Sequence, residues 1–366
     1  MTYKVKVIGA GSIGNHLANA SRRMGWSVDI CDVDQKALDR TKSQIYPMRY
    51  GKWDESIGLY LSKDAPVGAY DLIFIGTPPD SHLPLALLAL KEKPKALLIE
   101  KPVCGPDLKG AQELFDLAKE LGVHVFVGYD HVVGQAAGLA AKLALTGGIG
   151  DVCTLDVEFR EYWGGIFNAH PWLAGPWETY LGFWERGGGA SGEHSHAINL
   201  WQHFAHILGA GRVVEVQASM NMIQDERVNY DSLCLMNLRT ERGLLGRCVQ
   251  DVVTEPPRKW ARIQGSKGFV EWQCAKEPGV DYVNATLPDR VVVEKKITKT
   301  RPDDFIQELK HIEEVLNNNS SSVISIERGL ETMLVIAAAH LSSSTKKSVR
   351  INYSKGFTPS ALEIEN

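Results

Sequence analysis

Residues 4–32 restrict the fold more than any other stretch of the chain. Lys4-Val5-Lys6-Val7-Ile8 reads as a short apolar strand, and Gly9-Ala10-Gly11-Ser12-Ile13-Gly14 follows without a gap. A helical run through His16-Leu17-Ala18-Asn19-Ala20, then Gly25 and a second strand over Val28-Asp29-Ile30-Cys31, lead to Asp32. Strand, Gly-x-Gly-x-x-Gly, helix, strand and terminal acid is the order of a dinucleotide-binding crossover. Gly9 permits the tight turn, Gly11 lets the backbone approach a pyrophosphate, and Gly14 lets the helix pack closely on the strand. The helix N-terminus offers free N–H groups and a positive dipole end to phosphate, with Ser12 and Ile13 in the same loop. Asp32 stands where an acid accepts from a ribose hydroxyl. Its charge would repel a 2′-phosphate, which favours NAD over NADP. Asp29 lies mid-strand, and Asp34 reads as the cap of the next helix.

At 366 residues the chain exceeds one ordinary core, and two domains are expected, 1–128 and 129–366. Over 1–128, strand and helix patterns alternate: helix 34–43, strand 71–75, helix 81–90, strand 96–99, helix 107–121 and strand 123–127, with 46–64 undefined. Such alternation predicts an α/β fold with a parallel sheet, helices on both faces and ligands beyond the carboxyl ends of the strands. From 129 the pattern changes. After a helix over 134–146, Cys153, Leu155, Val157 and Phe159 alternate with polar residues, and Val214, Val216, Ala218 and Met220 repeat the pattern. Further strands at 233–238, 243–250, 260–264, 268–272 and 290–295 lack intervening helices, which predicts a large, mostly antiparallel sheet. Helices over 303–316 and 326–341 close the chain.

Composition narrows the function classes. A net charge of −4 gives no footprint for nucleic acid or an anionic membrane. No apolar run reaches ~18 residues, so no membrane span is predicted. Met1-Thr2-Tyr3 runs straight into the first strand without a signal-peptide pattern, and six cysteines show no metal or disulfide spacing. A cytoplasmic protein with reduced thiols is expected.

These features together resemble the glucose-fructose oxidoreductase / inositol dehydrogenase family over nearly the full length. The resemblance rests on Gly9–Gly14, Gly76-Thr77-Pro78-Pro79, Glu100-Lys101-Pro102, Gly128-Tyr129-Asp130-His131, Gly148-Ile149-Gly150, Gly187-Gly188-Gly189-Ala190 and Gly265-Ser266-Lys267-Gly268. It implies a Rossmann domain followed by an antiparallel-sheet domain, NAD(P)-dependent oxidation of sugars, cyclitols or nucleotide-sugars, and a homodimer or homotetramer through the C-terminal sheet. It also implies that Lys101 stands between nicotinamide and substrate. His196 suits the position of the family's histidine. The usual aspartate four residues before it is Gly192 here, with Glu193 as substitute, and the arginine after the Tyr-x-His motif is replaced by Val132. Candidate cofactor contacts are Gly9, Gly11, Ser12, Ile13, Gly14, Asp32, Thr77, Pro78, His82, Glu100 and Lys101.

Oxidising a secondary alcohol needs a base within hydrogen-bond reach of the hydroxyl while hydride leaves. Neutral imidazole suits that role near pH 7. His196 is the candidate base, Lys101 steadies charge on the same oxygen, and His194 is the rival base. If Ser191 caps a helix, Glu193 and His196 share a face and the acid tunes the histidine. Residues 160–186 are dense in polar aromatics. Indole faces stack on sugar rings, so Arg160, Tyr162, Trp163, His170 and Trp172, with Tyr129, His131 and His194, are candidate substrate contacts. His203-x-x-His206 has no third ligand at metal spacing, and no metal is expected. Two other functions fit the same residues: an imine or enone reductase, and a non-catalytic NAD- or sugar-sensing regulator.

Overall fold

The computed structural model describes residues 2–168 and 172–365. Strands β1 (Lys4–Ile8), β2 (Ser27–Asp32), β3 (Ile57–Leu61), β4 (Leu72–Ile75), β5 (Ala96–Ile99) and β6 (His124–Val127) form a sheet in the order β3-β2-β1-β4-β5-β6. Every neighbouring pair is parallel. The unbroken apolar runs at β4 and β5 are buried along their whole length, as a strand covered on both faces requires. Helices α1 (Ser12–Arg23), α2 (Gln35–Arg40), α3 (Tyr46–Tyr50), α4 (His82–Lys91) and α5 (Ala111–Leu121) make the crossovers. Strand order reverses between β1 and β4, and a ligand crevice opens at such a switch point. There the two strand ends crowd together: a Cβ at Gly9 would lie 2.9 Å from the Gly76 carbonyl oxygen, at a φ of +107°.

The chain then runs through α6 (Asp130–Val133), α7 (Gln135–Thr146), β7 (Val152–Arg160), α8 (Gly164–Asn168), α9 (Gly189–Glu193) and α10 (Ser195–Ile207). Strands β8 (Val213–Gln224), β9 (Asn229–Thr240), β10 (Leu245–Asp251), β11 (Arg258–Gly265), β12 (Phe269–Glu277), β13 (Val280–Thr286) and β14 (Val292–Thr298) precede α11 (Arg301–Asn318) and α12 (Ile326–Thr345). The short strands β15 (Val349–Ile351) and β16 (Leu362–Ile364) come last. The second sheet has ten strands in the order β14-β13-β12-β11-β7-β10-β9-β8-β15-β16, and only its central β7–β10 pair is parallel. Alternation orients its faces. Cys234, Met236 and Leu238 of β9 are buried under helices, while Leu235, Asn237 and Arg239 point outward.

The two sheets share packing. Helix α12 contacts both β8 and β6, α11 contacts α1 and α6, and the Val127 N–H donates to the Ile324 carbonyl at 2.8 Å. The end of β5 faces α9 through Lys101 and Glu193, and the end of β6 faces α10 through Tyr129 and His196.

Local departures from the sequence pattern have physical reasons. The helix expected over 34–43 ends at Arg40, and the next turn widens into a π-helix, Thr41–Ile45, in which the Thr41 hydroxyl donates to the Ala10 carbonyl. The helix expected from 107 starts at Ala111, because Leu108 and Gly110 take φ values of +56° and +83°.

Candidate active site

The glycine loop is built for an anion. No side chain caps α1 and its first turn carries no acid, which leaves its leading N–H groups to a ligand. A Cβ at Gly14 would lie 1.9 Å from the Gly9 carbonyl oxygen, whereas a Cβ at Gly11 would meet nothing within 4 Å. Gly14 thus serves helix–strand packing, and Gly11 leaves open space over the loop. Asp32 Oδ2 accepts from the Ala10 N–H at 2.8 Å and Oδ1 from the Asp34 N–H at 3.0 Å. A carboxylate has about four acceptor sites, so capacity remains for ribose hydroxyls. The loop, the open space and the acid fit a dinucleotide with its pyrophosphate over Gly11–Gly14. Arg49, unnoticed in the sequence, donates to the Ser12 carbonyl at 2.7 Å and hydroxyl at 2.6 Å.

Thr77 and Pro78 follow β4 at the switch point, half-buried and exposed respectively. His82, also a candidate cofactor contact, packs behind Thr77. It is wholly buried, with its ring nitrogens 2.8 Å from the Thr77 carbonyl and 2.9 Å from the Pro102 carbonyl, and it braces the two strand-end loops from behind. Glu100 is also buried. Burial and the nearby Asp130 push its carboxyl up to about 7.

Lys101 leaves the end of β5 and reaches α9. Its ammonium donates to the Glu193 carbonyl at 2.8 Å and to Glu193 Oε2 at 3.1 Å, and the Tyr180 hydroxyl donates to the same Oε2 at 3.2 Å. Burial raises the Glu193 carboxyl, but Lys101, His194 and Tyr180 outweigh it and hold the group below the ordinary carboxylate range. An ammonium has three donors, so one remains for a ligand.

The structure corrects the expected Glu193–His196 face. Helix α9 ends at Glu193, His194 turns out of helical geometry at φ −94°, ψ 26°, and α10 begins at Ser195. The break separates Glu193 from His196. Ser191 is no cap either. It lies inside α9, where its N–H and hydroxyl donate to Asp231 of β9 at 2.8 and 3.1 Å. His196 faces Asp130 instead, with Nδ1 3.8 Å from Oδ1, and its ring centroid lies 4.7 Å from that of His131. Burial, reinforced by His131 and Lys101, pushes its pKa well below the ordinary value. Burial likewise takes His194 to about 4, against the pull of Glu193. Both imidazoles are neutral at pH 7. Among the described residues, donor atoms of Asp130, His131 and His196 lie within 4.8 Å of one another. His206, by contrast, pairs with Glu331 at 2.9 Å.

The expected substrate contacts scatter. Tyr129 is fully buried, its ring edge-on to His196 at 5.5 Å. Arg160 pairs with Asp251 at 2.6 Å, and Tyr162 is half-exposed. Trp163 belongs to a small core with Leu181, Ala190 and Val252. Trp172 lies by the Arg40 guanidinium, 5.6 Å from its ring centroid, and His170 falls outside the described residues. Trp184 stacks on His340 and Trp177 lies under Arg227. Among the described residues of this stretch the rings do not gather into one aromatic box, because they are divided between packing and the surface. Asp130 and Arg301 were missed as site residues; Asp130 carried a signal, its place in Gly128-Tyr129-Asp130-His131.

An oxidoreductase family with an NAD-binding Rossmann fold matches residues 3–129, and the GFO/IDH/MocA C-terminal domain matches residues 139–271. No curated protein sequence matches the chain. Among solved structures, the fold is similar to an oxidoreductase from Agrobacterium radiobacter in complex with NAD+, L-tartaric acid and magnesium, at 19% identity and a TM-score of 0.75, covering 96% of this chain and 98% of that one. It is similar to the WlbA dehydrogenase from Bordetella pertussis in complex with NADH and UDP-GlcNAcA, at 19% identity and a TM-score of 0.71, covering 96% and 99%. It is also similar to levoglucosan dehydrogenase in complex with NADH, at 16% identity and a TM-score of 0.77, again covering 96% and 99%. Two family matches that together span most of the chain, on this two-sheet fold, mean that the protein belongs to the GFO/IDH/MocA oxidoreductase family.

Proposed function

We propose that this protein is an NAD-dependent dehydrogenase that oxidises a secondary hydroxyl of a sugar, cyclitol or sugar derivative, nucleotide-linked ones included. The observation that carries the reading is Lys101. It lies at a strand end beside the dinucleotide crevice, is anchored by Glu193 on two of its donors, and has neutral imidazoles within electrostatic reach. Bound NAD+ supplies the hydride acceptor. Gly9, Gly11, Ser12, Ile13 and Gly14 hold its pyrophosphate, Asp32 its adenosine ribose, and Thr77 and Pro78 border it. The free Lys101 donor holds the substrate oxygen and steadies negative charge on it. His196 takes the hydroxyl proton, with His194 as the rival, and Glu193 fixes the lysine. His131, Arg160 and Trp172 are the remaining candidates for substrate contact. Asp32 favours NAD over NADP by charge. The solved relatives with levoglucosan and with a UDP-sugar acid support a sugar-type substrate.

The test is NADH formation, read by absorbance, on a panel of sugars, cyclitols and nucleotide-sugars. Turnover on at least one class, faster with NAD than NADP, is expected. NAD binding without turnover on the whole panel would contradict the enzyme and favour the sensing regulator.

A further inference from the structure

We infer that Asp130, not Glu193, is the positioning carboxylate of His196: it accepts the Nδ1–H and so turns the Nε2 lone pair toward the substrate. The inference rests on the reading of His196 as the base. Its first support is an imbalance. His196 Nδ1 and Asp130 Oδ1 are both buried and both lack a hydrogen-bond partner among the described residues, yet they face each other at 3.8 Å. Buried polar groups are rarely left unpaired. A separation of 3.8 Å is too long for a hydrogen bond, but catalytic contacts in ligand-free sites tighten once the complex forms. Each atom is the other's available partner.

The second support is how Asp130 is held. Its Oδ2 lies 3.6 Å from the Arg301 guanidinium, which also reaches Asp304 at 3.8 Å. Arg301 thus claims one oxygen and leaves the other to the imidazole. Around this pair stand Lys101 and Glu100 at the end of β5, His131 on α6, Lys259 on β11, and Arg301, Asp304 and Glu308 on α11. A divalent cation among Asp130, His131 and His196 is the competing account of the same three donors. Arg301 already sits on Asp130, and Lys259 and Lys299 bear on His131. A further cation would add to that repulsion, so the geometry favours the dyad.

The step balances simply. The substrate hydroxyl proton goes to His196 Nε2 as hydride leaves to the nicotinamide. The Nδ1 proton stays on the ring, and Asp130 remains ionised and stabilises the imidazolium, the division of labour of an aspartate behind a catalytic histidine.

The first arm of the test needs no substrate. In the full-length protein with labelled histidines and saturating NAD+, ¹⁵N NMR reads the tautomer of His196, assigned by the signal lost in His196→Asn. The Nδ1–H form is expected. In Asp130→Asn, Arg301 holds the amide oxygen and the NH₂ faces the imidazole, so the tautomer should switch to Nε2–H. On any substrate found in the panel, kcat should then fall ~10²-fold or more, with NAD affinity within twofold. A wild-type Nε2–H tautomer would overturn the inference without any variant. So would an unchanged tautomer in Asp130→Asn, or calorimetric binding of one equivalent of Zn²⁺ that His131→Ala abolishes. A panel without turnover contradicts the enzyme reading alone, and a near-normal rate in His196→Asn contradicts the base reading alone.

Discussion

A carboxylate at the end of β2 both holds the glycine loop and bears on cofactor choice. Asp32 bonds the Ala10 N–H at 2.8 Å, and its charge opposes a 2′-phosphate. In Asp32→Ser, the ratio of kcat/KM for NAD over NADP should shrink, by about tenfold or more if one charge repulsion of ~1.4 kcal/mol is removed. A wild type that already prefers NADP would contradict the assignment. Asp32, Gly9, Gly11, Gly14 and Lys101 could be picked out from sequence because local spacing specifies them: each lies in the glycine loop, in the first turn of α1 or at a strand end. The partner of His196 could not. Sequence spacing pointed to Glu193, three residues away, but the backbone breaks at His194, and the facing acid is the first residue of α6, 66 positions earlier. Arg301 is more distant still and had no local signal at all.

At the scale of elements, the glycine loop separates folding from binding. Gly11 has φ −82° and open space at its Cβ, so Gly11→Ala should melt like wild type without cofactor while NAD affinity drops, since the methyl occupies the phosphate's approach. Gly14→Ala drives a methyl into the Gly9 carbonyl and should lower the melting temperature itself, by the 1–3 kcal/mol typical of overpacking or more. Calorimetric scans and NAD titrations of both variants check this; equal melting losses would contradict it. Most strands and long helices were legible from period and punctuation. The edge strand β3 was not, because Ile-Gly-Leu-Tyr-Leu is half-exposed and holds a glycine. Nor was β13, where buried Asp281, paired with Lys299 at 2.9 Å, breaks the alternation. Both depend on tertiary partners that sequence spacing does not encode.

For the whole molecule, one face of the ten-stranded sheet is covered by helices, while the other shows Leu235 and Leu245, 42% and 49% exposed, among Arg239, Arg247 and Glu215. We propose that this face joins copies of the chain. Light scattering should give a dimer or tetramer, and Leu235→Asp should shift it toward monomer; a wild-type monomer would contradict the proposal. Among the described residues no helix is long and apolar enough to cross a membrane. We propose that affinity for the dinucleotide resides in the glycine loop and Asp32, whereas the chemistry resides at Lys101, where the two sheets meet. The most direct measurement sets NAD calorimetry beside turnover for Lys101→Met on a substrate from the panel. NAD affinity within about threefold of wild type and kcat lower by ~10²–10³ or more is predicted. Lost NAD binding, or a near-normal rate, would contradict the account.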